Sequence, residues 1–452
     1  MKNLITRTRI IYCYIILILF LSSIFIFSSC SQKSKSSVEI YPSIFRDKIK
    51  NLQFLKPTPQ LTHTTPNRAY VFIDATLSMQ GFVIPSDFTI FCNSIRKLIN
   101  ILTPKFEVSY FKFGEEVRMI DLTKVQFCSP SFYREEKIFR RTLIENVVDS
   151  ALKILRQNYQ NLIVIITDLY QDRSAIERIV NKFKYGIKDI LLNILSISIT
   201  LIKSEYDGTI FDIAEADYKF RYRETNDTLK FRPFYLICIG PSELVDDFLS
   251  DFSNNFLSQY PPSIIRHLIV SSNLGLSSTK LNYDGQRIVM SKNQGDSLFI
   301  FRLKSESLSQ ITLEREINLQ EKAILPLIHP QIQFYQLIND SLIQAQPLFD
   351  CKVYQDTFRL RLTLQPVSRE QKIEENIKYI AYIALAIDRF NFPQWVDEHD
   401  LKIDRLSLSE WMENPAKFPG SKTYNLKNFI SSLSSTLLNN LCIQDIVLIF
   451  EK

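Results

Sequence analysis

Two uninterrupted apolar runs constrain the fold most, and each of them leads to an aspartate. Residues 69–73 precede Asp74, and residues 162–167, apolar up to the final Thr167, precede Asp168. Continuous apolar runs of this kind are typical of central strands of a parallel sheet, which are covered on both faces. Between them, residues 143–155 carry apolar side chains at the spacing of an amphipathic helix. This alternation predicts an α/β domain with a doubly wound, mostly parallel sheet and helices on both faces.

The chain divides into two predicted folded parts. We expect the α/β domain to span residues 67–273, with a β-hairpin insertion near 204–233, because residues 218–223 alternate strictly in character. After it the pattern changes, and residues 356–364 show the period-two alternation of a half-buried strand. We therefore predict a β-rich α+β C-terminal region over residues 274–452.

The N-terminus has the layout of a bacterial export signal. Basic residues at the start are followed by residues 10–27, which carry no charge, and small residues then lead to Cys30. The ending resembles the lipobox of bacterial lipoproteins, in which the cysteine becomes the lipidated first residue. Phe27 stands where the lipobox usually has leucine. The sequence predicts a lipoprotein signal peptide at residues 1–29 and lipid attachment at Cys30.

A tether follows the predicted lipid site. Residues 30–66 begin with small polar residues and contain four prolines, which favours an extended spacer over a helix. The alternative for residues 10–27 is an uncleaved anchor helix. Either interpretation attaches the chain to a membrane and places its folded part in the cell envelope, outside the cytoplasm.

Composition excludes several classes of function. With only 9 glycines the chain contains no glycine-rich phosphate loop, and its 4 histidines lie far apart in no zinc-protease or paired-ligand spacing. The formal net charge of +6 owes half its value to three basic residues in the signal peptide. No basic run supports a nucleic-acid partner, so we predict none.

Five cysteines follow Cys30 at wide spacings, at positions 92, 128, 238, 351 and 442. A disulfide is permitted outside the cytosol. None is demanded in a chain that is long enough to bury a sufficient core.

The ends of the two apolar runs carry the residues best suited to chemistry. Asp74, Thr76 and Ser78 place side-chain oxygens at i, i+2 and i+4 on the loop that leaves the first strand, and Asp168 leaves the second. Ligands of open α/β sheets bind at the carboxyl ends of such strands. Carboxylate and hydroxyl oxygens are the ligands of hard cations such as Mg²⁺.

This pattern resembles the metal-ion-dependent adhesion site of von Willebrand factor A domains. That family has a DxSxS motif after the first strand, a threonine from a later loop and an aspartate after the fourth strand. Asp74, Thr76 and Ser78 match the first element, Thr142 the second and Asp168 the third. The resemblance covers residues 67 to about 260. Two departures are Leu77 and Leu169, which stand where the family usually has glycine.

The resemblance implies a binding protein, and the predicted lipid attachment at Cys30 makes it a lipid-anchored one. Mg²⁺, or Mn²⁺ or Ca²⁺, would be held by the five matched residues and completed by an acidic residue of a protein partner. An ion-independent structural scaffold of an envelope complex is the alternative. A metal-dependent hydrolase is the third hypothesis, but no general base stands beside the predicted ion site, so we predict that the protein is not an enzyme.

Overall fold

The computed structural model describes most of the chain from Arg68 to Lys452. The segments it does not describe are 1–67, 122–126, 135–141, 170–176, 180, 183–194, 214–217, 272–274, 277–278, 295–297, 305–307, 319–323, 339–340, 357–358, 369–373, 375–376 and 439–445. The predicted signal peptide, Cys30 and the tether therefore lie outside the described residues. In the part that is described, no helix combines the length and apolar character needed to cross a membrane.

A seven-stranded sheet organises the N-terminal part of the described chain. Two further strands of this part form a separate antiparallel hairpin. The nine strands are β1 (Arg68–Asp74), β2 (Glu107–Phe113), β3 (Val117–Ile120), β4 (Leu162–Thr167), β5 (Leu195–Ser204), β6 (Tyr206–Ile213), β7 (Tyr218–Glu224), β8 (Arg232–Pro241) and β9 (Ile265–Ser271). The order across the large sheet is β3-β2-β1-β4-β8-β5-β9, and β6 pairs with β7.

The prediction of a doubly wound, mostly parallel sheet is wrong. Among the described strands, β1 pairs in parallel with β2 and with β4. The other four adjacencies of the sheet are antiparallel, and β8 lies antiparallel between β4 and β5. Most strand pairs after residue 273 are also antiparallel. The doubly wound fold that the resemblance implies is therefore not the fold of this chain.

The connection between β5 and β8 explains the difference. The chain leaves β5 at Ser204, forms the β6–β7 hairpin and returns at Arg232, which pairs with Ser204. A parallel partner for β5 would need a crossover to the other end of the sheet, whereas a return at the same end gives an antiparallel strand. The apolar residues of β8 would be buried on both faces whichever way the strand ran. The composition of β8 therefore does not indicate whether the strand is parallel or antiparallel to its neighbours.

Seven α-helices of the described chain have assigned bounds. They are α1 (Leu77–Gln80), α2 (Ile90–Leu102), α3 (Ile144–Gln157), α4 (Ser242–Leu257), α5 (Gln394–His399), α6 (Arg405–Glu413) and α7 (Leu426–Leu438). The prediction of a helix over 143–155 is confirmed by α3, whose apolar stripe is buried. Short 3₁₀ turns are described at Pro130–Tyr133, Pro262–Ile264 and Pro415–Lys417.

Two apolar cores lie on opposite faces of the seven-stranded sheet. One contains the buried side chains of α2 and α4, and Phe220 of β7. The other contains those of α3 and α7, and Trp395 of α5. Alternation along each strand distributes its side chains between the two cores, as Ile163 and Val164 of β4 illustrate. Helices from the predicted C-terminal region thus complete the core of the first sheet.

The remaining strands follow residue 273. They are β10 (Gly275–Leu276), β11 (Lys280–Tyr283), β12 (Ile288–Gln294), β13 (Leu298–Leu303), β14 (Ile311–Asn318), β15 (Leu325–Ile338), β16 (Ser341–Gln344), β17 (Phe349–Gln355), β18 (Arg359–Pro366), β19 (Lys378–Asn391), β20 (Asp400–Leu401), β21 (Thr423–Tyr424) and β22 (Ile446–Glu451). One sheet has the order β10-β14-β18-β17 with β11 beside β14, and a second has the order β12-β13-β22-β19-β15-β16. β20 and β21 form a small separate pair.

These two larger sheets share one core. The alternation predicted near residue 360 is confirmed, since Leu360, Leu362 and Leu364 of β18 are all buried in it. Between the sheets, Phe349 of β17 packs on Phe450 of β22 with ring centroids 5.2 Å apart. The C-terminal strands therefore form a two-sheet sandwich.

Candidate functional site

The two predicted aspartates meet at one edge of the seven-stranded sheet. Asp74 is the last residue of β1, and Asp168 directly follows β4. Because β1 and β4 pair in parallel, their carboxyl ends are neighbours. Both side chains are almost fully buried, at 0% and 1% relative exposure. The sequence prediction that these two carboxylates lie together agrees with their positions.

One predicted hydroxyl side chain contacts Asp74, and two more contact that hydroxyl. The backbone N–H and the hydroxyl of Thr76 both donate to Oδ1 of Asp74, at 3.1 and 2.6 Å. The Oγ1 atom of Thr76 lies 3.2 Å from Oγ of Ser78 and 3.1 Å from Oγ1 of Thr142. Thr76 is buried, whereas Ser78 and Thr142 are half-buried. The cluster therefore has a closed back and a side that faces solvent.

Thr167 supports Asp74 from the neighbouring strand, although the sequence did not single it out. Its hydroxyl donates to Oδ2 of Asp74 at 2.8 Å and accepts from the backbone N–H of Leu169 at 3.1 Å. Leu169 has φ of 55° and is buried. This is the left-handed region that favours glycine, so the leucine keeps a glycine-like backbone path at a cost of about 1–2 kcal/mol.

Arg232 is the second residue that sequence analysis missed. It is fully buried at the start of β8, and its Nη2 donates to Oδ2 of Asp168 at 2.9 Å. Its Nη1 donates to the carbonyl of Gly420 at 3.2 Å. The guanidinium carbon also lies 5.1 Å from the ring centroid of Tyr206. Asp168 is thus already paired with a cation that the protein itself supplies.

The error in strand direction accounts for missing Arg232. A parallel β8 would place its first residue at the opposite edge of the sheet from Asp168. In the antiparallel strand, Tyr235 lies opposite Thr167, so the start of β8 extends past the end of β4. The available signal was a charged residue two positions before the apolar run 234–239, at the end of the predicted insertion.

The β6–β7 hairpin braces the segment formed by Thr76 and helix α1, which contains Ser78. The hydroxyl of Tyr206 donates to the backbone carbonyl of Ser78 at 2.9 Å. The ring of Tyr206 lies so close to Gly81 that an added Cβ there would be 2.4 Å from it. A glycine at this position lets the aromatic ring reach helix α1.

Asp74 is the electrostatically unusual group of the site. Burial, and then the negative charge of Asp168, raise the pKa of its carboxyl to about 7. Hydrogen bonds from Thr76 and Thr167 oppose this shift. Without a bound cation, protonated and ionised forms of Asp74 are therefore both present near neutral pH.

The donor set fits a small hard cation only in part. Adjacent ligands of six-coordinate Mg²⁺ are about 3 Å apart, because each lies about 2.1 Å from the metal at right angles to its neighbour. The separations of Thr76 from Ser78 and from Thr142 agree with this spacing. Asp74 supplies a carboxylate beside them, whereas Asp168 is committed to Arg232.

A cation at this edge would depend on the hydroxyl oxygens. Within the described ranges, no cluster of three or more His, Cys, Asp or Glu side chains could hold a metal ion. Comparison with known proteins adds no further assignment, since the chain matches no protein-family model and no curated protein.

Proposed function

We propose that this chain is a lipid-anchored binding protein of the cell envelope that engages a partner carboxylate through a divalent cation. The cation would be held by Asp74, Thr76, Ser78 and Thr142. The observation that carries the proposal is a cluster of three hydroxyl oxygens next to a buried carboxylate. Thr76 Oγ1 donates to Asp74 and lies 3.2 Å from Ser78 Oγ and 3.1 Å from Thr142 Oγ1.

Hydrogen-bond direction supports this assignment. The hydroxyl proton of Thr76 is given to Asp74, so the lone pairs of Thr76 Oγ1 are directed away from that carboxylate. Ser78 and Thr142 lie on that side, within hydrogen-bond distance. An ion bound among these oxygens would have Asp74 behind it and the half-buried hydroxyls toward solvent.

Charge balance supports a carboxylate as the missing ligand. Arg232 offsets the charge of Asp168, which leaves Asp74 as the acidic group available to the ion. A divalent cation beside one carboxylate retains an excess positive charge. An acidic side chain of a partner would neutralise that charge and fill an open coordination position.

Calorimetric titration of Mg²⁺ into the detergent-solubilised full chain tests the proposal. We expect heat of binding for the wild type, none for Asp74→Asn, and about tenfold weaker binding for Ser78→Ala. Because a proton competes for Asp74, whose pKa is about 7, affinity should fall as pH drops below 7 and should level off above it.

A matched hydroxyl variant makes the titration specific. Ser131 is an exposed serine on the 3₁₀ turn at residues 130–133, outside the hydroxyl cluster, and Ser131→Ala should bind Mg²⁺ as the wild type does. The proposal fails if the wild type binds neither Mg²⁺ nor Mn²⁺ at millimolar concentration, or if Asp74→Asn binds them equally well.

An ion-independent scaffold is the second candidate, and the buried Arg232 favours it. The pair formed by Arg232 and Asp168 already places a cation at the strand ends, and Arg232 also binds the carbonyl of Gly420. In this case the site would join the first sheet to the segment around Gly420. If the chain retains envelope proteins equally well in Mg²⁺ and in chelator, the scaffold is favoured. If the chain loses these proteins in chelator, the cation bridge is favoured.

The lipid anchor has its own test. Replacing Cys30 by serine should abolish incorporation of a labelled fatty acid and leave the precursor unprocessed, because the thioether needs the cysteine sulfur. Metabolic labelling followed by electrophoresis measures both effects. Cys351→Ser is the matched control and should label normally. A Cys30→Ser chain that still labels and matures would contradict the lipoprotein prediction.

A further inference from the structure

Strand β17 is a long, regular strand at the edge of a sheet in the C-terminal sandwich. Within the described ranges it pairs with β18 alone, over seven residues and without a shift in register. The other edges of the two sheets are formed by β10 and β11, with two and four residues, by β16 with four, and by β12, whose pairing with β13 shifts in register. Short strands and bulges are two ways in which proteins protect a sheet edge. β17 has neither protection, so its outer side is suited to pair with a further strand.

The hydrogen bonds at the two ends of β17 show which of its backbone groups face outward. Just before the strand, the carbonyl of Leu348 accepts from the N–H of Val367 at 3.1 Å, and just after it the N–H of Asp356 donates to the carbonyl of Arg359 at 3.0 Å. Both contacts continue the register of β17 with β18. In an antiparallel pair, residues that bond the neighbouring strand alternate with residues that do not. The even-numbered residues of β17 therefore bond β18, and the odd-numbered residues present their N–H and C=O groups to the open edge.

The side chains on the core face of β17 agree with an open edge. Phe349 is buried in the core of the sandwich, and Cys351 is half-buried against the same core. Val353 follows them on this face, because side chains two residues apart share a face of a strand. It is nonetheless 41% exposed. A strand added beside β17 would cover this apolar side chain.

The outer face of β17 carries two exposed charges of opposite sign, at Asp350 and Lys352. The residues opposite them on β18 are Gln365 and Thr363, which are uncharged. Both charges are therefore available to a strand on the open side. An acid and a base two residues apart also make a strand complementary to itself, since an antiparallel copy places each charge opposite the other.

We propose that β17 pairs with β17 of a second copy of this chain, antiparallel and about a two-fold axis at Cys351, so that two sandwiches share one continuous sheet. A two-fold interface uses the same surface on both copies, and it therefore requires a strand that complements itself. In this register Asp350 of one copy lies opposite Lys352 of the other, and Val353 lies opposite Phe349. The surface is distinct from the cation site, and the inference does not depend on the proposed function.

Backbone and charge together select this register. The outward N–H and C=O groups belong to odd-numbered residues, so a register that satisfies them pairs odd residues with odd residues. Centred on Cys351, the pairing gives three hydrogen-bonded residue pairs, or about six backbone hydrogen bonds. The two acid–base pairs then occupy the positions between them, where opposite Cβ atoms are roughly 5 Å apart. Centring on Lys352 instead would oppose two ammonium groups, and centring on Val353 would place Lys352 opposite Tyr354.

Sedimentation equilibrium of the full chain in density-matched detergent tests the pairing. We expect the protein mass of two chains at micromolar concentration. Asp350→Lys and Lys352→Asp each place like charges opposite one another, and each should raise the dissociation constant of the dimer about tenfold or more. The double variant exchanges the two charges and restores opposite pairs, so it should dimerise as the wild type does. Glu413→Lys changes an exposed acid at the end of α6 and should leave the dimer unaffected.

A proline variant tests the backbone hydrogen bonds of the same edge. Because the N–H of Val353 faces outward, Val353→Pro removes a donor of the interface and leaves the pairing with β18 in place. We expect a monomer whose circular dichroism matches that of the wild type. A wild-type chain that stays monomeric would overturn the proposal and leave the edge to a strand of a different protein. A dimer that survives Val353→Pro and both single charge reversals would overturn it as well, because its interface would lie elsewhere.

Discussion

Replacing Arg232 by methionine is expected to lower the free energy of unfolding by about 3–5 kcal/mol. The substitution leaves the carboxylate of Asp168, which is 1% exposed, without its buried cation. It also removes the hydrogen bond to Gly420 and the contact with the ring of Tyr206. Urea unfolding of the full chain measures this loss of stability. It is carried out at neutral pH in chelator, and the monitored signal is the transition of the N-terminal sheet.

An exposed arginine provides the matched control. Arg221 pairs with Asp207 on the β6–β7 hairpin, but its side chain is 60% exposed. Arg221→Met should therefore cost less than about 1 kcal/mol, as exposed ion pairs usually do. A loss for Arg232→Met no larger than for Arg221→Met would show that the buried pair does not hold the site together.

A double variant distinguishes an unpaired charge from lost packing. Adding Asp168→Asn to Arg232→Met removes the stranded carboxylate, so most of the lost stability should return. If the single variant does not fold at all, recovery of a folded double variant carries the same information. A double variant as unstable as the single one would assign the cost to packing around Tyr206 and Gly420.

The second large expected effect is a fall in stability with rising pH that depends on Asp74. The folded-state pKa of about 7 lies above the ordinary value of 3.8. The folded state therefore binds more protons than the unfolded state between these pH values, and stability decreases as pH rises through this window. The contribution is fully present below about pH 4 and fully lost above about pH 7, with a magnitude of the order of 4 kcal/mol.

Unfolding midpoints at pH 5 and pH 8, measured in chelator, test this expectation. The wild type should lose more stability between the two pH values than Asp74→Asn does, because the amide does not titrate. Asp87→Asn, at an exposed carboxylate, should retain the wild-type difference. Identical pH dependence in the wild type and Asp74→Asn would contradict the raised pKa of Asp74. Saturating Mg²⁺ should flatten the wild-type profile, since a bound cation replaces the proton.

Much of the local structure followed from the sequence. The apolar runs before Asp74 and Asp168 are strands β1 and β4, and the stripe over residues 143–155 is helix α3. Two strands in parallel register bring the ends of those runs together. The five predicted ligands could therefore be placed at one edge from strand assignment and chain order alone.

Only the tertiary structure decided which other groups reach that edge. The same apolar residues fill a buried strand whether it runs up or down the sheet, so the direction of β8 was not encoded in its composition. That direction brings Arg232 to Asp168. Periodicity reports which face of an element is buried. The charge that balances a buried aspartate depends instead on which distant segments pack against one another.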